Sequence, residues 1–96
     1  MTREERNDFN YIKKATKGHD LKGSQLTIRT DAGAEYKRAL HDFYQSLGFK
    51  PYGITTDSRR LDGKERIVYI GWNDQAYTWE ELTTAEEKKR YAEALN

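Results

Sequence analysis

Lys37 and His41 stand four residues apart in "KRALHDFYQSLGF", residues 37–49, and Tyr44 follows three residues later. At helical spacing an ammonium, an imidazole and a phenol lie on neighbouring points of one face. Such groups suit three kinds of chemistry: neutralising a phosphate, moving a proton near neutral pH, or stacking against a base. Other chemistries are poorly supplied. The chain has no cysteine, which removes a thiolate nucleophile, a Cys-ligated zinc and a disulfide framework together. Two histidines, His19 and His41, are few for a His-based metal site. The seven glycines are scattered rather than gathered into a phosphate loop. The carboxylate pairs Glu80-Glu81 and Glu86-Glu87 read as solvated helix surface. No catalytic role, cofactor or metal is expected.

The elements that must position these residues follow from the pattern around them. Ninety-six residues make one domain, 1–96. The composition is 35% hydrophobic and 34% charged, with a mean hydropathy of -1.08. The core is therefore small, and the 12% aromatic residues must supply much of its area. No apolar run reaches the length of a membrane span, and the charged start is no signal peptide. These features suggest a reducing, cytoplasmic setting.

Thr2 and Glu5 form a capping box for a first helix that carries Phe9 and Ile12 and stops at Gly18. "SQLTIRT" alternates Leu26 and Ile28 with polar residues, as a short half-buried strand does. A second helix has its apolar stripe at Tyr36, Leu40, Phe43 and Leu47, with Gly48 as C-cap. "YGITTDSRRL" and "KERIVYIGW" flank Asp62-Gly63, a hairpin signal. A two-residue turn there pairs Arg60 with Glu65 and sets Arg59 opposite Arg66. Thr78-x-x-Glu81 and Thr84-x-x-Glu87 announce a short helical turn and a terminal helix. The expected fold is α+β, in the order α-β-α-β-β-α. It has a small, mostly antiparallel sheet of about three strands packed on two helices, plus a C-terminal helix.

Net charge is +1 overall but uneven along the chain. Residues 11–72 hold 12 Lys/Arg against 7 Asp/Glu, whereas residues 73–96 hold 3 against 6 and the first ten hold 2 against 3. A basic middle favours a polyanionic partner. The acidic tail, 73–96, carries Trp79, Leu82, Tyr91 and Leu95. They suit either covering an open edge of the core or docking on a protein.

"QLTIRTDAGAEYKRALHDFYQSLGF", followed by "RRLDGKERIVYI", resembles the R3H domain. That family is named for an Arg-x-x-x-His pair and binds single-stranded nucleic acid. The likeness runs over about residues 9–72. His41 stands where the family has its His, Lys37 replaces the Arg, and Arg66 opens the last strand. The resemblance implies a small sheet on two helices and a single-stranded DNA or RNA site around the His face. On that reading Lys37, Arg38, Lys50, Arg59, Arg60, Lys64 and Arg66 contact phosphates beside His41. Tyr44, Tyr52 and Tyr69 are then the candidates for base stacking. The rival expectation is a protein-binding adaptor or inhibitor, of the kind that phages and mobile elements encode, that works through its surface and acidic tail, with Trp79 and Tyr91 as anchors.

Overall fold

Thr2 opens α1 (Arg3–Thr16) with the expected capping box: its hydroxyl accepts from the Glu5 N–H while the Glu5 carboxylate accepts from the Thr2 N–H. The same carboxylate reaches out of its own helix, and its Oε2 accepts from the Gly33 N–H at 3.1 Å. Gly33 is the N-cap of α2 (Ala34–Ser46) and has no side chain to offer that helix. One anion thus sits at the N-terminal ends of two helices, where their dipoles favour negative charge. The Thr2 and Gly33 backbone donors hold the Glu5 carboxyl below its ordinary pKa.

The computed structural model describes residues 1–18, 21, 24–56, 63–71 and 84–96. Three strands, β1 (Gln25–Arg29), β2 (Phe49–Thr55) and β3 (Arg66–Gly71), form an antiparallel sheet in the order β1-β3-β2. α3 (Ala85–Leu95) follows, capped by the Thr84 hydroxyl on the Glu87 N–H. The expected α+β order is therefore present. No described helix is long and apolar enough to cross a membrane.

Alternation divides the sheet into two faces. Ile28 pairs with Ile67, Leu26 with Tyr69, and Tyr69 in turn with Pro51. These residues turn toward α2 and α3, and with Leu40, Tyr44, Phe49, Tyr91 and Leu95 they make the core. Tyr91 and Leu95 of the acidic tail thus cover the core rather than standing out as partner anchors. Trp79 and Leu82 lie outside the described residues, as does the helical turn expected at Thr78. α1 lies against α2 on its other side, with Phe9 edge-on to Phe43 at 5.9 Å.

The β2–β3 register corrects the two-residue turn expected at Asp62-Gly63. Thr55, not Arg59, lies opposite Arg66, so the strands are shifted by four residues from that alignment. The reason is burial. A two-residue turn sets Ile67 against Ser58 and Tyr69 against Thr56, whereas the observed register sets Ile54 against Ile67 and Pro51 against Tyr69. Matching the apolar faces outweighs the local turn preference. A register shift between Pro51 and Gly53 leaves Tyr52 as an extra, 72% exposed residue. Arg59, Arg60, Leu61 and Asp62 lie outside the described residues.

Both margins of the sheet are blocked. Gly71 donates to the Ser24 carbonyl and Thr30 to that of Glu65, so the even residues of β1 face β3. The odd residues face outward, and there Tyr44 donates to the Thr27 carbonyl and the Ala32 N–H to that of Arg29. On the far side the register turns the nitrogen of Pro51, which carries no hydrogen, toward the margin of β2.

Among the described glycines, Gly71 lies closest to its neighbours. A Cβ there meets the backbone carbonyl of Leu21 and the Phe49 ring, whereas one on Gly53 meets nothing. Gly71→Ala is expected to lower stability by about 2–3 kcal/mol through overpacking, and Gly53→Ala by well under half of that. Urea denaturation of the two variants checks the contrast, and equal effects refute it.

Candidate functional site

The inward side of α2 is not its most apolar one. Lys37, Leu40, His41 and Tyr44 are its buried residues, while Tyr36, Phe43 and Leu47 are only half-buried. The helix is packed on two sides, so the half-buried stripe meets α1 and the Lys37/His41/Tyr44 stripe faces the sheet and α3. The expected binding face is consequently an interior face.

Lys37 is 3% exposed. Its ammonium donates to three carbonyls: Thr30 at 3.0 Å, Ala94 at 2.8 Å and Asn96 at 2.9 Å. An ammonium has three donors, so this geometry leaves none for a phosphate. Ala94 and Asn96 end α3, where outward carbonyls lack helical partners and a cation is favoured. Lys37 is thus a helix cap supplied from another element, not the surface phosphate contact expected of it.

His41, 8% exposed, brings Nδ1 to 2.6 Å from the Tyr69 hydroxyl. Tyr69 also stands edge-on to Tyr44, with centroids 5.1 Å apart. Burial raises the pKa of both phenols well above the ordinary value, so each remains a donor. Tyr44 donates to the Thr27 carbonyl at 3.1 Å. A phenol donating to Nδ1 suits a neutral imidazole with its proton on Nε2. Burial, reinforced by Arg38 and opposed by Asp42, lowers the His41 pKa. His41, Tyr44 and Tyr69 are accordingly interior groups, not the surface contacts expected of them.

The remaining candidates lie elsewhere. Arg38 is exposed on the outer side of α2. Lys50 and Arg66 belong to the sheet face opposite Tyr69, and Lys64 leads into it. The register groups Gln25, Ile70 and Lys50 in one row, Thr27, Val68 and Gly53 in the next, and Arg29, Arg66 and Thr55 in the third. Arg29, Lys50 and Arg66 are the only charged residues in the three strands, and all are cations on this one face. Arg29 was missed in the sequence, where the expected strand segments still carried Asp57 and Glu65; the observed strand ends leave both carboxylates out.

Arg29 and Arg66, directly opposed, place like charges together. Asp31 moderates this: it accepts two bonds from Arg29, at 2.9 and 3.2 Å, and lies 3.7 Å from the Lys64 ammonium. Arg29 chiefly, helped by Lys64, holds the Asp31 carboxyl below its ordinary pKa. An open groove of about 440 Å³ borders this corner, lined by Glu4, Glu5 and Asp8 of α1, Tyr36 of α2, and Arg29 and Arg66 of the sheet. Among the described residues, no three His, Asp or Glu side chains form a group able to hold a metal ion.

No protein-family model matches the chain, and neither the curated proteins nor the solved structures contain a match to it.

Two variants test the interior assignment. Lys37→Met retains the apolar stem but abandons three carbonyls; a loss of about 3 kcal/mol is expected in urea denaturation. A loss within experimental error contradicts the capping role. For His41, the depressed pKa means that the unfolded chain binds the proton more readily. Its contribution is complete above the unfolded pKa of about 6.5 and is lost as pH falls through the lower folded value. Stability is therefore expected to decline as pH falls from about 6.5 toward that lower folded value. His41→Gln should flatten this part of the pH–stability profile, and an unchanged slope refutes the assignment.

Proposed function

We propose that the protein is a small, non-catalytic, cytoplasmic domain that binds single-stranded nucleic acid on the sheet face opposite Tyr69. The observation that carries this reading is the charge of the strands: Arg29, Lys50 and Arg66 all emerge on one face, with no carboxylate in the strands themselves. Cations stand in the two outer rows, and Thr27, Val68 and Gly53 lie between them. Phosphates meet Lys50 and Arg66 on this reading, while bases lie over the less polar middle. Lys64 extends the basic edge, and the exposed Tyr52 supplies a ring at the β2 bulge. A stacked base adds about 1–3 kcal/mol.

The R3H-like order of strand, helix and basic-led strand also supports this function. The contact surface differs from that implied by the likeness, because Lys37 and His41 are engaged inside. A protein-binding role for the tail has less to recommend it once Tyr91 and Leu95 are counted in the core.

Fluorescence anisotropy of labelled single-stranded DNA and RNA across a salt series tests the reading. Salt-sensitive binding is expected, with the slope of log K against log[salt] reduced by about 1.4 in Lys50→Gln/Arg66→Gln, two single-strand phosphate contacts. Failure of the folded wild type to bind at tens of micromolar overturns the function.

A further inference from the structure

α1 carries a second charged surface that the strand reading leaves unused. At about 100° per residue, Arg3, Arg6, Asn10, Lys13 and Lys14 fall within an arc of about 100° on this helix. All five are exposed. The carboxylates of the same helix, Glu4, Glu5 and Asp8, lie outside that arc; all three line the groove beside β1, and Glu5 also bonds Gly33. The four cations span about 16 Å along the axis.

Their lack of partners distinguishes this surface from an ordinary mixed one. No carboxylate stands three or four residues from any of the four, so the usual intrahelical pairs are missing. None makes an ion pair with the rest of the described structure either. Lys13 rests over the Phe9 ring at 5.4 Å, which leaves its ammonium at the margin of the stripe. Helix electrostatics explains Lys13 and Lys14, which sit in the last turn. It argues against Arg3 and Arg6, because cations near a helix N-terminus oppose the dipole. Those two arginines need another reason to be there.

We infer that this face of α1 is a contact surface for the phosphate backbone of nucleic acid, separate from the sheet face. The inference rests on the proposed nucleic-acid function and extends it to a second surface, across the acidic groove. Unpaired guanidinium and ammonium groups in a row complement a polyanion without reading its sequence, and the Asn10 amide adds a neutral donor for phosphate or sugar. An anionic membrane fits less well. The apolar side of α1, with Phe9 and Ile12, packs against the core, which leaves Tyr11, outside the basic arc, as the one large apolar side chain of this helix in solvent, too little for insertion among lipids.

The test uses the full chain, a labelled single-stranded oligonucleotide and salt between about 50 and 200 mM. Arg3→Gln/Arg6→Gln/Lys13→Gln/Lys14→Gln is compared with Lys50→Gln/Arg66→Gln and with wild type. Glutamine matches these residues in helix propensity, and circular dichroism verifies that α1 persists. The α1 variant is expected to bind at least tenfold more weakly, with the salt slope reduced by about 2–3. Should it unfold, the two halves, Arg3→Gln/Arg6→Gln and Lys13→Gln/Lys14→Gln, are each expected to lose about half of that slope. Unchanged binding by the α1 variant, with loss in the sheet variant, overturns the inference and leaves the function standing. A wild type that binds no oligonucleotide overturns the function itself. Capture by anionic vesicles in place of oligonucleotides overturns both.

Discussion

The ammonium of Lys37 joins three parts of the chain that are distant in sequence. Thr30 opens the turn after β1, Lys37 lies at the end of the first turn of α2, and Ala94 and Asn96 close α3. The sheet–helix–helix arrangement converges on this point. α3 brings few buried side chains of its own, Tyr91 and Leu95, so its terminal carbonyls need a partner that holds them against the core. A hydrocarbon in this position leaves three acceptors dehydrated. An ammonium answers all of them at once, which is the condition under which a buried charge is tolerated.

The same economy governs the rest of the interior. A chain with 35% hydrophobic residues builds its centre from amphipathic groups, each with its polar end satisfied. Tyr44 reaches the Thr27 carbonyl, and Tyr69 reaches His41. The rings fill volume while the hydroxyls tie α2 to two different strands. These bonds carry orientation as well as energy: they fix the rotation of α2 about its own axis, which an all-aliphatic contact specifies less sharply.

Most of the element order was legible in the sequence, because it depends on local chemistry. The Thr2/Glu5 box, the Gln25–Arg29 alternation and the Gly48 stop each act over a few residues. What escaped depends on partners far along the chain. The Tyr36/Leu40/Phe43/Leu47 stripe is real, but only Leu40 of it is fully buried, and Phe43 packs on Phe9 of α1, a helix that the pattern of α2 alone does not reveal. Lys37 and His41 looked like surface chemistry because polarity is read residue by residue, while burial depends on who supplies the carbonyls. Asp62-Gly63 is a good turn signal, yet Ile54 and Tyr69 set the register. The unpaired cations of α1 were hidden by counting charge in blocks: Glu4, Glu5 and Asp8 cancel Arg3 and Arg6 in the total although they occupy another side of the helix.

The blocked margins of the sheet bear on how this protein behaves at high concentration. A three-stranded sheet ordinarily ends in two rows of amides and carbonyls that invite further strands. Here the Thr27 and Arg29 carbonyls are occupied along one border, and Pro51 interrupts the donors along the other. A strand from another molecule finds no continuous ladder to extend. The fold thus carries its own protection against edge-to-edge polymerisation, built from a tyrosine, a tight turn and a proline.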